Sequence, residues 1–298
     1  MKTYFIFLYY FNIYLTYFSI FVFPTMKSMS LYQRIAENLQ FIAPNFYKER
    51  YFKNLKNITR ENFSERNIEP ELLWIKEYLK SDAVFLDIGA NSGSFIFQLE
   101  NKLSPKNIYA FEPNKNLFSR LKRIFPKTNI FPLALSDKNE IATFKVPIIN
   151  GKKYNTRGTL QVDYREIDET KHHLQQVKVM KLDDWADQEN LEKIDFIKID
   201  VEGNEMQTLR GAKAVIEKFQ PAMMVEMEQR HHSQPLHQLI SEIENWGYET
   251  FFLDRKTFDL EKLDEKMISE NTDGKVGTKQ AYINNMIFIP KSHKTEKI

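Results

Sequence analysis

The chain has 298 residues, 42% of them hydrophobic and 28% charged, with a formal net charge of +2. That balance belongs to a globular protein rather than a disordered one. Basic and acidic residues are interspersed without a polybasic block, so no nucleic-acid partner is expected. Cysteine is absent, which excludes disulfides, thiolate nucleophiles and cysteine-ligated metal centres.

The run from Tyr4 to Phe23 is apolar or aromatic except at Asn12, Thr16 and Ser19, and Lys2 and Lys27 flank it. About 20 apolar residues suffice to span a bilayer, so a membrane anchor is one reading. Five tyrosines (Tyr4, Tyr9, Tyr10, Tyr14 and Tyr17) are spread along it, although tyrosine favours the bilayer interface. A cleaved signal peptide is a second reading, but no A-x-A-like site follows. In the third, Met26 or Met29 is the true start. The expectation is a cytoplasmic protein, tethered through residues 4–23 if the run is an anchor.

Residues 31–80 read as a helical extension. Leu31 to Ile42 carries apolar residues at 31, 35, 39 and 42, a helical spacing that Pro44 ends. Glu69-Pro70-Glu71 then opens a helix over Glu71–Lys80, with proline and acids suited to its first turn.

From residue 81 to 291 short apolar runs alternate with helical spans. The runs are Val84–Ile88, Ile108–Phe111, Ile130–Leu135, Phe196–Ile199, Met223–Val225, Glu249–Leu253 and Met286–Ile289. Continuous apolar runs are expected of strands buried on both faces. Their alternation with helices predicts a doubly wound, mostly parallel seven-stranded α/β sheet. Between the third and fourth runs, Thr143–Val146 and Val177–Leu182 look like extra strands around a polar loop with Gly151 and Arg157-Gly158-Thr159. This is either an insertion near the active site or an ordinary surface excursion.

Four segments carry chemistry. In the first, the strand Val84–Ile88 runs into Gly89-Ala90-Asn91-Ser92-Gly93 and a helix Phe95–Leu99. Glycines let backbone pass close to a ligand, and Asn91 and Ser92 suit turn and cap positions. The order lacks the third glycine of a dinucleotide fingerprint and the lysine of a P-loop; a tight loop without a ligand is the alternative. In the second, Ile108–Phe111 leads to Glu112, 19 residues beyond Gly93. That is close to the spacing of about 20 at which an acid binds ribose hydroxyls; the alternative is an exposed strand-end acid. In the third, Leu133–Leu135 ends in Ser136-Asp137, placed to meet an adenine ring unless this is a plain turn.

The fourth is the most distinctive: Phe196-Ile197-Lys198-Ile199-Asp200-Val201-Glu202-Gly203. Alternation puts Lys198, Asp200 and Glu202 on one side if the strand persists that far. Charges at the end of a buried strand need partners. They mark either a ligand site or a structural ion pair.

The succession DIGANSG (87–93), AFEPN (110–114), LALSD (133–137), LDDW (182–185) and IDFIKIDVEGNEMQTLRGA (194–212) resembles the FkbM family of methyltransferases. The resemblance covers roughly residues 81–290. It implies a Rossmann-like class I methyltransferase fold, S-adenosylmethionine as cofactor, and O-methylation of a small molecule or glycan. By it, Asp87, Gly89, Asn91 and Gly93 surround the methionine, Glu112 holds the ribose, Asp137 lies near the adenine and Asp200 near the methyl group. An alcohol acceptor must lose a proton, so a general base is required. Asp200, Glu202 and Glu226, the last at the end of the next strand, are the candidates. The pairs His172-His173 and His231-His232 read more readily as solvent-facing, and no metal-ligand set is evident. A nicotinamide-dependent oxidoreductase and a non-catalytic binding protein on the same fold are the rivals.

Overall fold

The structure, a computed structural model, describes residues 31–270 and 282–293. The apolar run at residues 4–23, with its competing readings, lies outside the described residues. Among the described residues no helix is long and apolar enough to cross a membrane. The chain divides into two compact units, residues 1–48 and 49–298.

In the first unit, helix α1 (Leu31–Ile42) has the bounds that its apolar spacing predicts. Pro44 opens the next helix, α2 (Pro44–Tyr51), as expected of a residue whose missing N–H has no partner to lose there; the last three residues of α2 belong to the second unit. The Tyr47 hydroxyl donates to Glu37 at 3.1 Å, tying the two helices together.

The second unit continues with α3 (Glu71–Tyr78), which stops short of the predicted Lys80. There follow β1 (Phe85–Ile88), α4 (Ser94–Leu99), β2 (Ile108–Phe111), α5 (Lys115–Ile124), β3 (Asn129–Phe131), β4 (Leu133–Leu135), β5 (Glu140–Ile149), β6 (Lys152–Lys153) and β7 (Glu169–Met180). Then come α6 (Leu182–Gln188), β8 (Phe196–Ile199), α7 (Glu205–Arg210), α8 (Lys213–Phe219), β9 (Ala222–Glu226), α9 (Leu236–Glu244), β10 (Tyr248–Leu253), β11 (Leu260–Lys262), α10 (Glu265–Glu270) and β12 (Asn285–Pro290).

The main sheet has eight strands in the order β11-β10-β12-β9-β8-β1-β2-β3. This corrects the expected seven strands and their mostly parallel arrangement. The pairings from β3 through β9 are parallel, whereas β12, β10 and β11 join antiparallel. The extra edge strand, Leu260-Glu261-Lys262, is three residues long and largely exposed, so no apolar run announces it. A second correction concerns Ile130–Leu135. Pro132, which has no N–H to give a ladder, separates β3 from β4, and the two strands enter different sheets.

Alternation along the central strands sorts side chains to two faces. Phe85 and Phe196 stack with ring centroids 5.9 Å apart, and Trp74 of α3 and Phe95 of α4 cover them. Leu86, Ile88, Ile197 and Ile199 point the other way, into a core with Trp185, Ile216, Leu239 and Ile240 of α6, α8 and α9. Helices on both faces make the sheet doubly wound.

The segment between β3 and β8 builds a second, four-stranded sheet, β4-β7-β5-β6. Its strands are longer than predicted, because the outer half of β7, with Thr170–Leu174 exposed, shows no apolar pattern. A small core of Ala134, Phe144, Val146, Val177 and Val179 holds it. Within it Lys145 is 1% exposed. Its ammonium lies 3.3 Å from Glu169, also buried, and donates to the Tyr164 carbonyl. Deleting one member of a buried pair leaves the other uncompensated. Lys145→Met is therefore expected to lower stability by about 3–5 kcal/mol in urea unfolding; a loss under about 1 kcal/mol would show that solvent reaches Glu169.

Candidate active site

The β1–α4 loop turns sharply under the end of β2. The Gly89 and Ala90 N–H groups both donate to Phe111 O at 3.0 Å. Gly89, Asn91 and Gly93 all have left-handed backbone, with φ of 78°, 51° and 90°. The two glycines serve different ends. A Cβ on Gly89 would lie 1.8 Å from the Asp200 carbonyl oxygen, so here the chain passes directly against the end of β8. A Cβ on Gly93 would lie 2.7 Å from Leu121 and Phe125, so this glycine admits α5. Gly93 is also the N-cap of α4, without a side-chain cap; Ser92 and Ser94 bond each other instead, at 3.0 Å.

Beneath the loop, Asp87 and Lys198 sit opposite each other in the β1–β8 register. The Lys198 ammonium lies 3.4 Å from Asp87 and from Asp200 and donates to Gly89 O at 2.9 Å. The Phe95 ring, 5.5 Å away, closes its other side. Burial works against this ammonium, but Asp200 and Asp87 outweigh it and hold Lys198 above the ordinary lysine range. Burial pushes the Asp87 carboxyl up, and Lys198 pulls against that shift.

Strand β8 ends at Ile199, so Asp200 and Glu202 lie just past it rather than along it. Glu202 is held at φ 53°, a left-handed value that a side chain adopts at a cost of about 1–3 kcal/mol.

A pocket of about 530 Å³, its open mouth included, lies at the carboxyl ends of β1, β2 and β8, where open α/β sheets bind ligands. Gly89, Asn91 and Glu112 line one side and Asp200, Glu202 and Asn204 another. Leu133–Leu135 of β4 form an apolar wall. Glu112 is 4% exposed. Its two oxygens accept from the Asn91 and Asn114 N–H groups at 2.7 and 2.8 Å. Burial raises its pKa to about 7, the two N–H donors opposing. The Asn91 side-chain oxygen is buried without a hydrogen-bond partner.

Other expected residues stand apart from the pocket lining. Asp87 is beneath the loop and Gly93 faces α5. Ser136 and Asp137 follow the β4 wall, where the Ser136 hydroxyl donates to Asp137 at 3.4 Å. Glu226, one strand further over, accepts from Asn284 at 2.7 Å. His231 is buried and His232 half-buried, and neither side chain is solvent-facing: their Nε2 atoms lie 3.7 Å from Glu202 and 3.2 Å from Glu205.

The insertion lies at the site, the first of its two expected readings, although the sequence singles out none of its residues as pocket-lining. Phe144, Asn155, Thr156, Gly158 and Leu160 line the pocket, and only the Arg157-Gly158-Thr159 turn hinted at this. The Thr159 hydroxyl donates to Glu202 O at 2.7 Å, and Gln161 donates to the backbone oxygens of Gly203 and His231. Glu166, Glu202 and His231 offer ligand atoms within 4.8 Å of one another. The Arg230 guanidinium already stands 3.0 Å from Glu166 and 3.7 Å from Glu202, so these acids have a resident cation.

Fold and pocket place the chain among open α/β-sheet proteins with a crevice at the carboxyl ends of their strands. Residues 87–250, over half of the chain, match the Methyltransferase FkbM domain, and the chain belongs to that family. It is similar to the 2-O-methyltransferase NoeI of Sinorhizobium fredii, 28% identical in an alignment of 155 residues that covers 47% of this chain and 61% of that one. It is also similar to the hexuronic acid methyltransferase AglP of Haloferax volcanii, 28% identical over 142 residues, covering 45% and 52%. The chain thus spans less than two thirds of either relative's length. A methyltransferase FkbM structure from Methylobacillus flagellatus KT matches with a TM-score of 0.44 and 15% identity, over 70% of this chain and 44% of that one.

The contact between Gly89 and Asp200 gives a direct prediction. Gly89→Ala, which adds a Cβ where a backbone oxygen stands and strains φ, is expected to destabilise the protein by about 2 kcal/mol or more in thermal unfolding. A melting point unchanged from wild type would mean that the loop and β8 are not in contact.

Proposed function

We propose that the protein is an S-adenosylmethionine-dependent O-methyltransferase acting on a hydroxyl group of a sugar or another small molecule. The observation that carries this reading is the chemistry at the two sides of one pocket: the buried carboxylate of Glu112 on one, and Asp200 with Glu202 on the other. The residues present fit such a cofactor. Glu112 has the acceptor capacity to take both ribose hydroxyls. Leu133–Leu135 offer an apolar surface for the adenine, with Ser136 and Asp137 next in sequence for its polar edge. The unpartnered Asn91 oxygen suits a donor such as the methionine ammonium, and Gly89 lines the pocket beside it.

When bound, the cofactor supplies a methyl group activated by a positive sulfonium. The remaining work belongs to the protein. Gly89, Asn91 and Glu112 hold and orient the cofactor, because an in-line displacement depends on position. Lys198 fixes the Asp200 carboxylate beside the pocket. Asp200, Glu202 or Glu226 takes the proton from the acceptor hydroxyl, and the lining favours the first two. The activities printed in the names of the two relatives, 2-O-methylation and methylation of a hexuronic acid, support a carbohydrate acceptor.

Isothermal titration of the full chain with S-adenosylmethionine and with NAD tests the cofactor. The methyl donor is expected to bind and NAD not to; binding of NAD alone would turn the reading to an oxidoreductase. Ribose hydroxyls donate to the ionised form of Glu112, whose pKa is about 7. Affinity is therefore expected to rise as pH climbs through 7, and Glu112→Ala to remove most of both affinity and pH dependence. If the donor is bound, methyl transfer to a panel of sugar acceptors tests catalysis. At least one of Asp200→Asn, Glu202→Gln and Glu226→Gln is expected to lower kcat by about 100-fold or more. Normal rates in all three would remove carboxylate base catalysis from the proposal.

A further inference from the structure

Among the described residues, carboxyl groups outnumber cations at the end of β8. Lys198 spends its contacts on Gly89 O, Asp87 and Asp200. Arg230 gives its shorter contacts to Glu228 at 2.7 Å and Glu166 at 3.0 Å, and stands 3.7 Å from Glu202. Glu226 has the Asn284 amide as its hydrogen-bond donor. The groups facing Glu202 come from every neighbouring element. They are Asp200 on its own loop, Glu205 of α7, Glu166 of the insertion, and Glu228, Arg230 and His231 after β9. In the β8–β9 register Ile199 pairs with Val225, so Glu226 comes beside Asp200 at the strand ends, and the charges of Asp200, Glu69, Glu202 and Lys198 all bear on this corner. His231 brings no compensating charge near neutral pH, because burial and Arg230 lower its pKa.

Adjacent carboxyls in a partly desolvated site cannot all ionise, and they settle the deficit by sharing protons. Burial first, and then the Asp200 charge, push both Glu202 and Glu226 well above the ordinary carboxylate range. Asp200 and Glu202 line the very pocket assigned to the cofactor. A positive charge arriving there supplies what the cluster lacks.

We propose that Glu202 and Glu226 jointly hold a proton in the cofactor-free protein and release it when the sulfonium end of S-adenosylmethionine occupies the pocket, leaving Glu202 ionised to accept the proton of the acceptor hydroxyl. This rests on the cofactor reading above and adds a coupling to it: the base is armed by the charge of the intact donor. S-adenosylhomocysteine, which has the same nucleoside and amino acid but no sulfonium, does not arm it.

The sign follows from linkage. A ligand that prefers the ionised cluster binds more tightly as pH rises through the raised pKa values, by up to about tenfold per pH unit for one proton released. Glu112 contributes equally with both ligands, since both carry the ribose, so the difference between them isolates the sulfonium effect.

The test is isothermal titration of the full chain with each ligand, in buffers of contrasting ionisation heat. It is run near pH 6.5, below the ordinary α-amino range of about 7.7–8.0. Proton release is expected to be larger with S-adenosylmethionine, and the ratio of the two affinities to shift toward it by several-fold between about pH 6 and 7. Glu202→Gln is expected to abolish most of that difference while still binding S-adenosylhomocysteine. Glu226→Gln, a second variant of unchanged shape, is expected to reduce it. Equal proton release with the two ligands in the wild-type protein overturns the inference and leaves the cofactor assignment standing. So does a difference that survives both substitutions. Failure of both ligands to bind instead overturns the cofactor assignment itself.

Discussion

A single buried ammonium sets the arrangement of this site. Lys198 lies on the face of β8 that carries Phe196 and opposite Asp87 in the register of β1, where an unpaired charge would be intolerable. Its charge and donors serve three places that must come together: it pairs with a carboxylate on the neighbouring strand and donates to the carbonyl of Gly89 in the first loop and to Asp200 at the end of its own strand. A hydrophobic side chain would fill the same volume but would specify none of these positions. Such a pair contributes little net stability compared with an apolar replacement. What it gives is registration: two strand ends and the loop between them are fixed relative to one another.

The other constraints follow from that junction. With Lys198 drawing Gly89 O inward, the loop passes so close to β8 that the Asp200 carbonyl fills the space a side chain on Gly89 would need. The chain then leaves β8 through Glu202 in a left-handed conformation. Past the strand end, Asp200 and Glu202 both remain at the pocket wall. The surplus of acid over base is thus a product of backbone geometry as much as of composition.

Much of this was legible in the sequence, and the reasons differ by element. Val84–Ile88, Ile108–Phe111 and Phe196–Ile199 read correctly as strands because burial on both faces demands unbroken apolar runs. Glu112 could be placed from its distance to the glycine turn, since one strand-helix-strand unit fixes that interval. Ile130–Leu135 misled because its run of apolar residues hid the break at Pro132. The edge strand Leu260–Lys262 was silent because an exposed edge needs no apolar pattern. Gly93 belongs to the glycine turn in sequence, but the side on which its Cβ would stand faces Leu121 and Phe125, which lie far along the chain. The approach of Asn155–Leu160 to the pocket depends on how the inserted sheet packs through Ala134 and Phe144, and no local pattern encodes that.

The stitching of this insertion has a wider implication. One stretch, residues 155–161, forms part of the pocket wall and also bonds the backbone at Glu202, Gly203 and His231. Grip on the ligand and the setting of the acid cluster are therefore inherited as one trait. A descendant that redrew this stretch to suit a different acceptor would alter both together, which makes the insertion a single dial for specificity rather than a loop free to drift.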